Sequence, residues 1–187
     1  MDRELFSTVK MGFAACLLSF SPADVLPQSP PTESCSNSAV VATTPSSEFT
    51  IVGDGIIRHD ATGLEWQRCS VGQIWDGAAC QGSASNFFWQ QALIAASVAG
   101  SGWRLPNIQE LRSIVERCRV NPAINRKAFP NTSSFEGGIF WSSTPSTVAG
   151  LEGLAMIIYF DDGNEGASDE IIDGIDGSRL RLVRDGQ

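Results

Sequence analysis

A chain of 187 residues with 42% hydrophobic and 18% charged residues has the composition of a globular protein with a real core, which excludes a disordered chain. Its formal net charge of −8 argues against nucleic acid and other polyanions as partners, because phosphate or sulfate contacts need clustered Lys and Arg. The local basic set Arg112, Arg117, Arg119, Arg126 and Lys127 reads as a solvated helix edge and loop.

Arg3 and Lys10 precede an apolar stretch, Met11 to Phe20, and Ser21-Pro22-Ala23 then offers a small-residue cleavage site. This is the layout of a secretory signal peptide over residues 1–23, too short for a membrane span, so no integral span is expected in the mature chain. Two alternatives stay open: a lipid-attachment box at Ala14-Ala15-Cys16, which would anchor the chain at Cys16, and a start at Met11. Removing the segment leaves Cys35, Cys69, Cys80 and Cys118, an even count that in an exported chain points to disulfides. The expected location is therefore secreted, periplasmic or cell-surface. Three pairings are open. The Gly-rich stretch between Cys69 and Cys80 favours that local closure, which leaves Cys35 with Cys118. With one His and these spacings there is no zinc pattern.

Residues 24–48 are rich in Pro, Ser and Thr and read as an extended linker, so the folded domain is assigned to residues 49–187. Phe49 to Val52 and Ile56 to His59 read as strands around the turn Gly53-Asp54-Gly55. After a second turn at Asp60 to Gly63, Leu64, Trp66 and Arg68 alternate with Glu65, Gln67 and Cys69 in a third strand. Phe88, Trp89, Ala92, Leu93, Ala96 and Ala99 mark a first helix ended by Gly100. In the run GWRLPNIQEL, Gly102 to Leu111, Pro106 pushes Leu105 toward extended geometry. Asn107 and Glu110 then form a capping-box pattern. Ile108, Leu111, Ile114, Val115 and Cys118 fall on one stripe of the second helix, with Arg112 and Glu116 as an i,i+4 pair. Residues 119–138 read as a long, internally packed loop. Ile139 to Ser142, Leu154 to Phe160 and Ser178 to Arg184 are the remaining strands, and residues 164–177 are acidic and Gly-rich.

The WRLP run, together with DATGLEWQRCSVGQIW, FFWQQAL, NPAIN, FPNT, FWSST and RLRLVR in that order, resembles the Lcl C-terminal-like domain family, named after the C-terminal domain of a bacterial collagen-like adhesin. The resemblance spans residues 49–184. It implies an α+β, C-type-lectin-like fold with two helices, a small antiparallel sheet and long ordered loops, and a last strand that pairs with the first. It also implies distant similarity to sulfatase-modifying enzymes and to the variable proteins of diversity-generating retroelements. Binding in adhesion, with carbohydrate as one ligand class, is implied more than catalysis. The sulfatase-modifying chemistry needs cysteines late in the domain, and here none follows Cys118.

Among residues that could carry chemistry, Trp66, Trp89, Trp103 and Trp141 sit inside the family-like motifs and read as packing residues, whereas Trp75 in the Cys69–Cys80 loop reads as a candidate for surface display. Arg104, Pro106, Asn107, Glu110, Trp103 and Trp141 are assigned structural roles, Arg104 as a clamp holding the turn. Asp161, Asp162, Glu165, Asp169, Glu170, Asp173 and Asp176 could offer oxygen ligands to calcium. They fit no EF-hand spacing and read as a solvated acidic loop, so no cofactor or metal is assigned. His59 and the Ser142-Ser143-Thr144 run lack a nucleophile-and-base pattern. The expectation is an exported, non-catalytic domain that binds a glycan or a protein on another surface. Its face would be built from Thr144, Ser146, Thr147, Asp161, Asp162, Asn164, Glu165 and Asp169, with Trp75 as a further candidate. A structural or assembly role, with an oligomer, is the alternative, and an enzyme on the same fold is the weaker one.

Overall fold

Ile57 and Trp66 face each other across a strand pair because each holds the inward position of a period-two pattern. Both are buried in the same apolar cluster. The structure is a computed structural model that describes residue 35 and residues 39–132, 138–147, 149–151, 153–168, 171–172 and 175–187. The targeting segment, Cys16, Asp169, Glu170 and Asp173 lie outside the described residues.

Strands β1 (Phe49–Gly53), β2 (Ile56–His59) and β3 (Leu64–Gln67) form an antiparallel meander. A short hairpin, β4 (Ile74–Trp75) and β5 (Cys80–Gln81), follows. Helices α1 (Trp89–Ser97) and α2 (Ile108–Ser113) come next. Then β6 (Ile139–Pro145), β7 (Ala155–Tyr159) and β8 (Asn164–Ser168) form a three-stranded antiparallel sheet. The small pair β9 (Ile171–Ile172) and β10 (Ile175–Asp176) precedes β11 (Val183–Asp185). The chain is therefore α+β, with two α-helices among the described residues.

The last strand does not pair with the first. β11 lies against β3, and the sheet order is β1-β2-β3-β11. Val183 opposite Trp66 puts an apolar side chain into the core, and Arg184 opposite Glu65 pairs opposite charges. The strand expected from Ser178 is confined to Val183–Asp185. Ser178 and Arg179 make single bridges to Phe87 and Phe140 instead.

Strands β6 and β7 send side chains into clusters on both faces of this sheet, which explains the apolar runs at residues 139–141 and Ala155–Tyr159, whereas β8, in the acidic and Gly-rich stretch, is a polar third strand. Phe140 and Ile158 enter one cluster with Trp66, Leu111 and Phe129, while Trp141 and Ile157 enter a second with Ala92, Ala96, Leu105 and Leu180. The indole N–H groups of Trp89 and Trp141 donate to the carbonyls of Ser142 and Phe87. These bonds tie α1 and the segment before it to β6.

Helix α2 is shorter than its stripe. It ends at Ser113, yet Ile114, Val115 and Cys118 remain buried, with Val115 bridging to Ile124. Ending the helix there separates Arg112 from Glu116, so the expected i,i+4 pair does not form. Arg112 pairs with Glu165 on β8. Glu116 turns inward and accepts hydrogen bonds from the amides of Thr43, Thr44 and Cys118 and from both threonine hydroxyls. Burial pushes its carboxyl up, but these hydrogen bonds outweigh burial and hold it below the ordinary glutamate value. Thr43 and Thr44, at the end of the Pro/Ser/Thr-rich stretch, are thus packed rather than extended in solvent.

The disulfides are Cys69–Cys80 and Cys35–Cys118, with sequence separations of 11 and 83. Cys118 holds Cys35, and Glu116 holds Thr43 and Thr44. Disulfides mark proteins of oxidising compartments. Among the described residues no helix is long and apolar enough to cross a membrane.

Candidate functional site

The sequence-predicted binding residues separate into two places. Most of the C-terminal set is engaged within the protein. The Thr144 hydroxyl accepts the first free amide of α2, from Ile108, at 3.0 Å. This satisfies a helix N-terminus. Ser146 is buried, and its amide donates to Leu154. In the turn between β7 and β8, Asp162 accepts from both the amide and the side-chain nitrogen of Asn164. The Asp161 carbonyl accepts from the Asn121 amide at 2.6 Å, and Glu165 pairs with Arg112. Gly163, at φ +81°, closes this turn so tightly on the segment that follows α2 that a Cβ there would sit 2.6 Å from Val115. Thr147, Asp162 and Asn164 remain exposed. Among the described residues no group of three or more His, Cys, Asp or Glu is arranged to hold a metal ion.

The WRLP turn is held by a capping box and by an ion pair. Asn107 accepts from the Glu110 amide and Glu110 accepts from the Asn107 amide, at 2.9 and 2.8 Å. The Arg104 guanidinium grips both Glu110 oxygens at 2.7 Å and reaches Asp185 at 3.1 Å. The Glu110 carboxylate, followed by Asp185, raises Arg104 above its ordinary pKa. Arg104 is partly exposed rather than buried, because it lies at the end of β11 beside solvent.

Trp75 stands elsewhere, in an open groove of about 230 Å³ that Trp103 also lines. The β4–β5 hairpin presents Trp75. Asp76 closes it by accepting the amides of Ala79 and Ala78 and the Gln81 side chain, which together hold its carboxyl below the ordinary value. Opposite Trp75 lies Cys80, fixed to Cys69 at the end of β3. The Arg68 guanidinium lies 4.1 Å from the centre of the Trp75 ring. Gly55, at φ +68°, lets the β1–β2 turn approach the indole, where a Cβ would stand 3.0 Å from Trp75. Trp103 follows the turn at Gly100 and carries the Arg184 guanidinium at 4.5 Å, itself held by Glu65 at 2.7 Å.

Ile56 and Gln67, cross-strand partners on β2 and β3, supply the sheet surface of the groove, and Asp54 and Gln73 also line it. Gln73 is occupied with Ser70 and Gly82. The Gln67 amide, the Asp54 carboxylate and the indole N–H groups of Trp75 and Trp103 have no hydrogen-bond partner among the described residues.

Sequence reasoning placed Trp75 as a candidate but missed Gln67 and Asp54; Trp103 packs against the second cluster, as read from its motif, and also lines the groove. The signal for Gln67 was present, because it alternates with the core residue Trp66. It missed Arg181 altogether. That side chain is fully buried and has no carboxylate partner among the described residues. It donates to the carbonyls of Gln67 and Arg68 and to Thr132, and it lies 4.8 Å from the Phe129 ring. Burial lowers its pKa to about 9, so it remains a cation at neutral pH. Its role is to fix the end of β3 through the carbonyls of Gln67, a groove residue, and Arg68.

The molecule is thus an α+β domain, stapled by two disulfides, that presents an aromatic-lined groove beside a three-stranded meander. The model of the Lcl C-terminal domain matches residues 55–184, and the chain belongs to this family. No curated protein and no solved structure matched the chain.

Proposed function

We propose that this protein is an exported, non-catalytic binding domain whose ligand is a glycan or a protein on another surface, on a lectin-like scaffold. The observation that carries this reading is the groove at Trp75 and Trp103, where aromatic rings and unengaged polar groups converge on a concave surface. Such a combination is what small-ligand recognition requires. The disulfides and the family membership support an extracellular setting. The C-terminal turn, with Thr147, Asp162 and Asn164 exposed, is the second place where a ligand would meet the protein.

The test is a glycan-array screen of the full chain, purified from an oxidising compartment, with a parallel calcium titration. Saturable binding to a glycan supports the proposal. A folded, disulfide-bonded protein that binds no glycan moves the ligand to the protein class. A second reading, assembly with copies of itself, is favoured by the edge strand β1, where Ile51 and Val52 are exposed. A concentration-independent monomer in sedimentation would exclude it.

A further inference from the structure

We infer that the groove between Trp75 and Trp103 binds one neutral six-membered sugar ring, without calcium; this rests on the binding-domain proposal and adds the site and the ligand chemistry. The size sets the first limit. About 230 Å³ is below the roughly 300–1,000 Å³ of pockets that enclose drug-sized ligands, so the groove suits a single ring rather than an extended segment. The chemistry of the lining sets the second. A pyranose offers apolar C–H faces and a belt of hydroxyls. The parts of the Trp75 and Trp103 indoles left open by Arg68, by Arg184 and by the core supply apolar contact for one face. The Gln67 amide can donate and accept, Asp54 can accept from two hydroxyls, and the two indole N–H groups can donate.

Charge argues for a neutral sugar. The two guanidinium groups nearest the rings are already engaged. Arg68 donates to the carbonyls of Ala128 and Lys127, and Arg184 is paired with Glu65. The one carboxylate lining the groove, Asp54, and the Arg68 guanidinium, whose partners are carbonyls, offset each other, so the lining offers no net charge to a sulfated or uronic sugar. That same lone carboxylate speaks against a calcium bridge, since the ion takes six to eight oxygen ligands. The rings are also set in place before any ligand arrives. Trp75 is fixed by the Cys69–Cys80 disulfide, by Gly55 and by Arg68, and Trp103 by Arg184. Rigid side chains lose little freedom on binding.

The experiment uses the full chain, labelled with nitrogen-15, titrated with cellohexaose, mannohexaose, chitohexaose and laminarihexaose in the presence of a chelator, with a heparin oligosaccharide as the anionic comparison. The five tryptophans give separable indole N–H signals, assigned with Trp75→Phe and Trp103→Phe. At least one neutral oligosaccharide is expected to shift the Trp75 and Trp103 signals and leave Trp66, Trp89 and Trp141 in place. Trp75→Ala should then weaken binding by about tenfold in calorimetry. Gln67→Ala, which removes no aromatic packing, should weaken it in the same direction and serves if the tryptophan variant fails to fold. Binding to a neutral oligosaccharide that Gln67→Ala and Trp75→Ala leave unchanged overturns the groove assignment but keeps the binding-domain proposal. Preference for heparin, or loss of binding with the chelator, overturns the ligand chemistry. A folded protein that moves no indole signal with any neutral oligosaccharide overturns this inference, and a glycan-array hit outside that set would still uphold the wider proposal.

Discussion

The Trp75–Trp103 groove and the turn between β7 and β8 are both solvent-facing, but their polar groups are used differently. In the turn, Asp162 serves Asn164, Glu165 serves Arg112, and the neighbouring Thr144 serves the N-terminus of α2. In the groove, Gln67, Asp54 and two indole N–H groups have no partner among the described residues. A cluster of acidic and hydroxyl residues looks like a ligand set in sequence. In the fold it is largely the hydrogen-bonding that closes a hairpin and caps a helix. Unengaged hydrogen-bonding capacity on a rigid concave surface is the better marker of recognition, because binding then satisfies groups rather than displacing their partners.

The comparison can be broken at either end. The largest effect is expected from removing the Cys69–Cys80 disulfide by the paired change Cys69→Ser and Cys80→Ser. Loop-closure entropy puts the loss near 3 kcal/mol. Thermal unfolding should show it, and the indole signal of Trp75 should broaden or move while the β7–β8 turn is undisturbed. An unperturbed Trp75 would mean that the hairpin holds itself.

Next comes Gly163→Ala. The left-handed backbone and the clash with Val115 together should lower stability by about 2–3 kcal/mol in denaturant unfolding. A neutral result would show that the turn is not buttressed by Val115 and is free to move toward a ligand.

Glu116→Gln should cost about 1–2 kcal/mol, because an amide nitrogen replaces an oxygen that accepts backbone amides. The pH dependence has a definite sign. Since the folded carboxyl titrates below its ordinary value, its contribution is present above that value and is lost as pH falls through the folded pKa. The variant should therefore lose part of the acid-side fall in melting temperature seen in the parent.

Thr144→Val should have the smallest effect, about 1 kcal/mol, as the Ile108 amide loses its acceptor. Ligand binding should be unchanged. A loss of binding with stability intact would return Thr144 to the recognition surface.

Much of the local structure was legible in sequence because it depends on neighbours in the chain. The Asn107–Glu110 capping box, the turns at Gly55 and Gly163 and the closure of Cys69 on Cys80 are short-range events, each with a residue type that only a few conformations accept. The partner of Arg112 was not legible, since the end of α2 separates it from Glu116 and the real partner, Glu165, is 53 residues away. Nor was the pairing of β11 with β3, because alternation gives the inward face of a strand but not its neighbour.

By itself the sequence determined the helix cap and the alternation of strand residues, which follow from residue type and spacing, and its ordered motifs carried the resemblance to the family and, through it, the α+β class. Tertiary structure alone decided that Trp103 and Gln67 join Trp75 in one groove, that Glu116 and Arg181 are buried, and that Thr144 caps a helix instead of facing a ligand. The physical reason is that recognition and burial depend on which polar groups find partners far along the chain, and that is settled only when the sheets and helices pack.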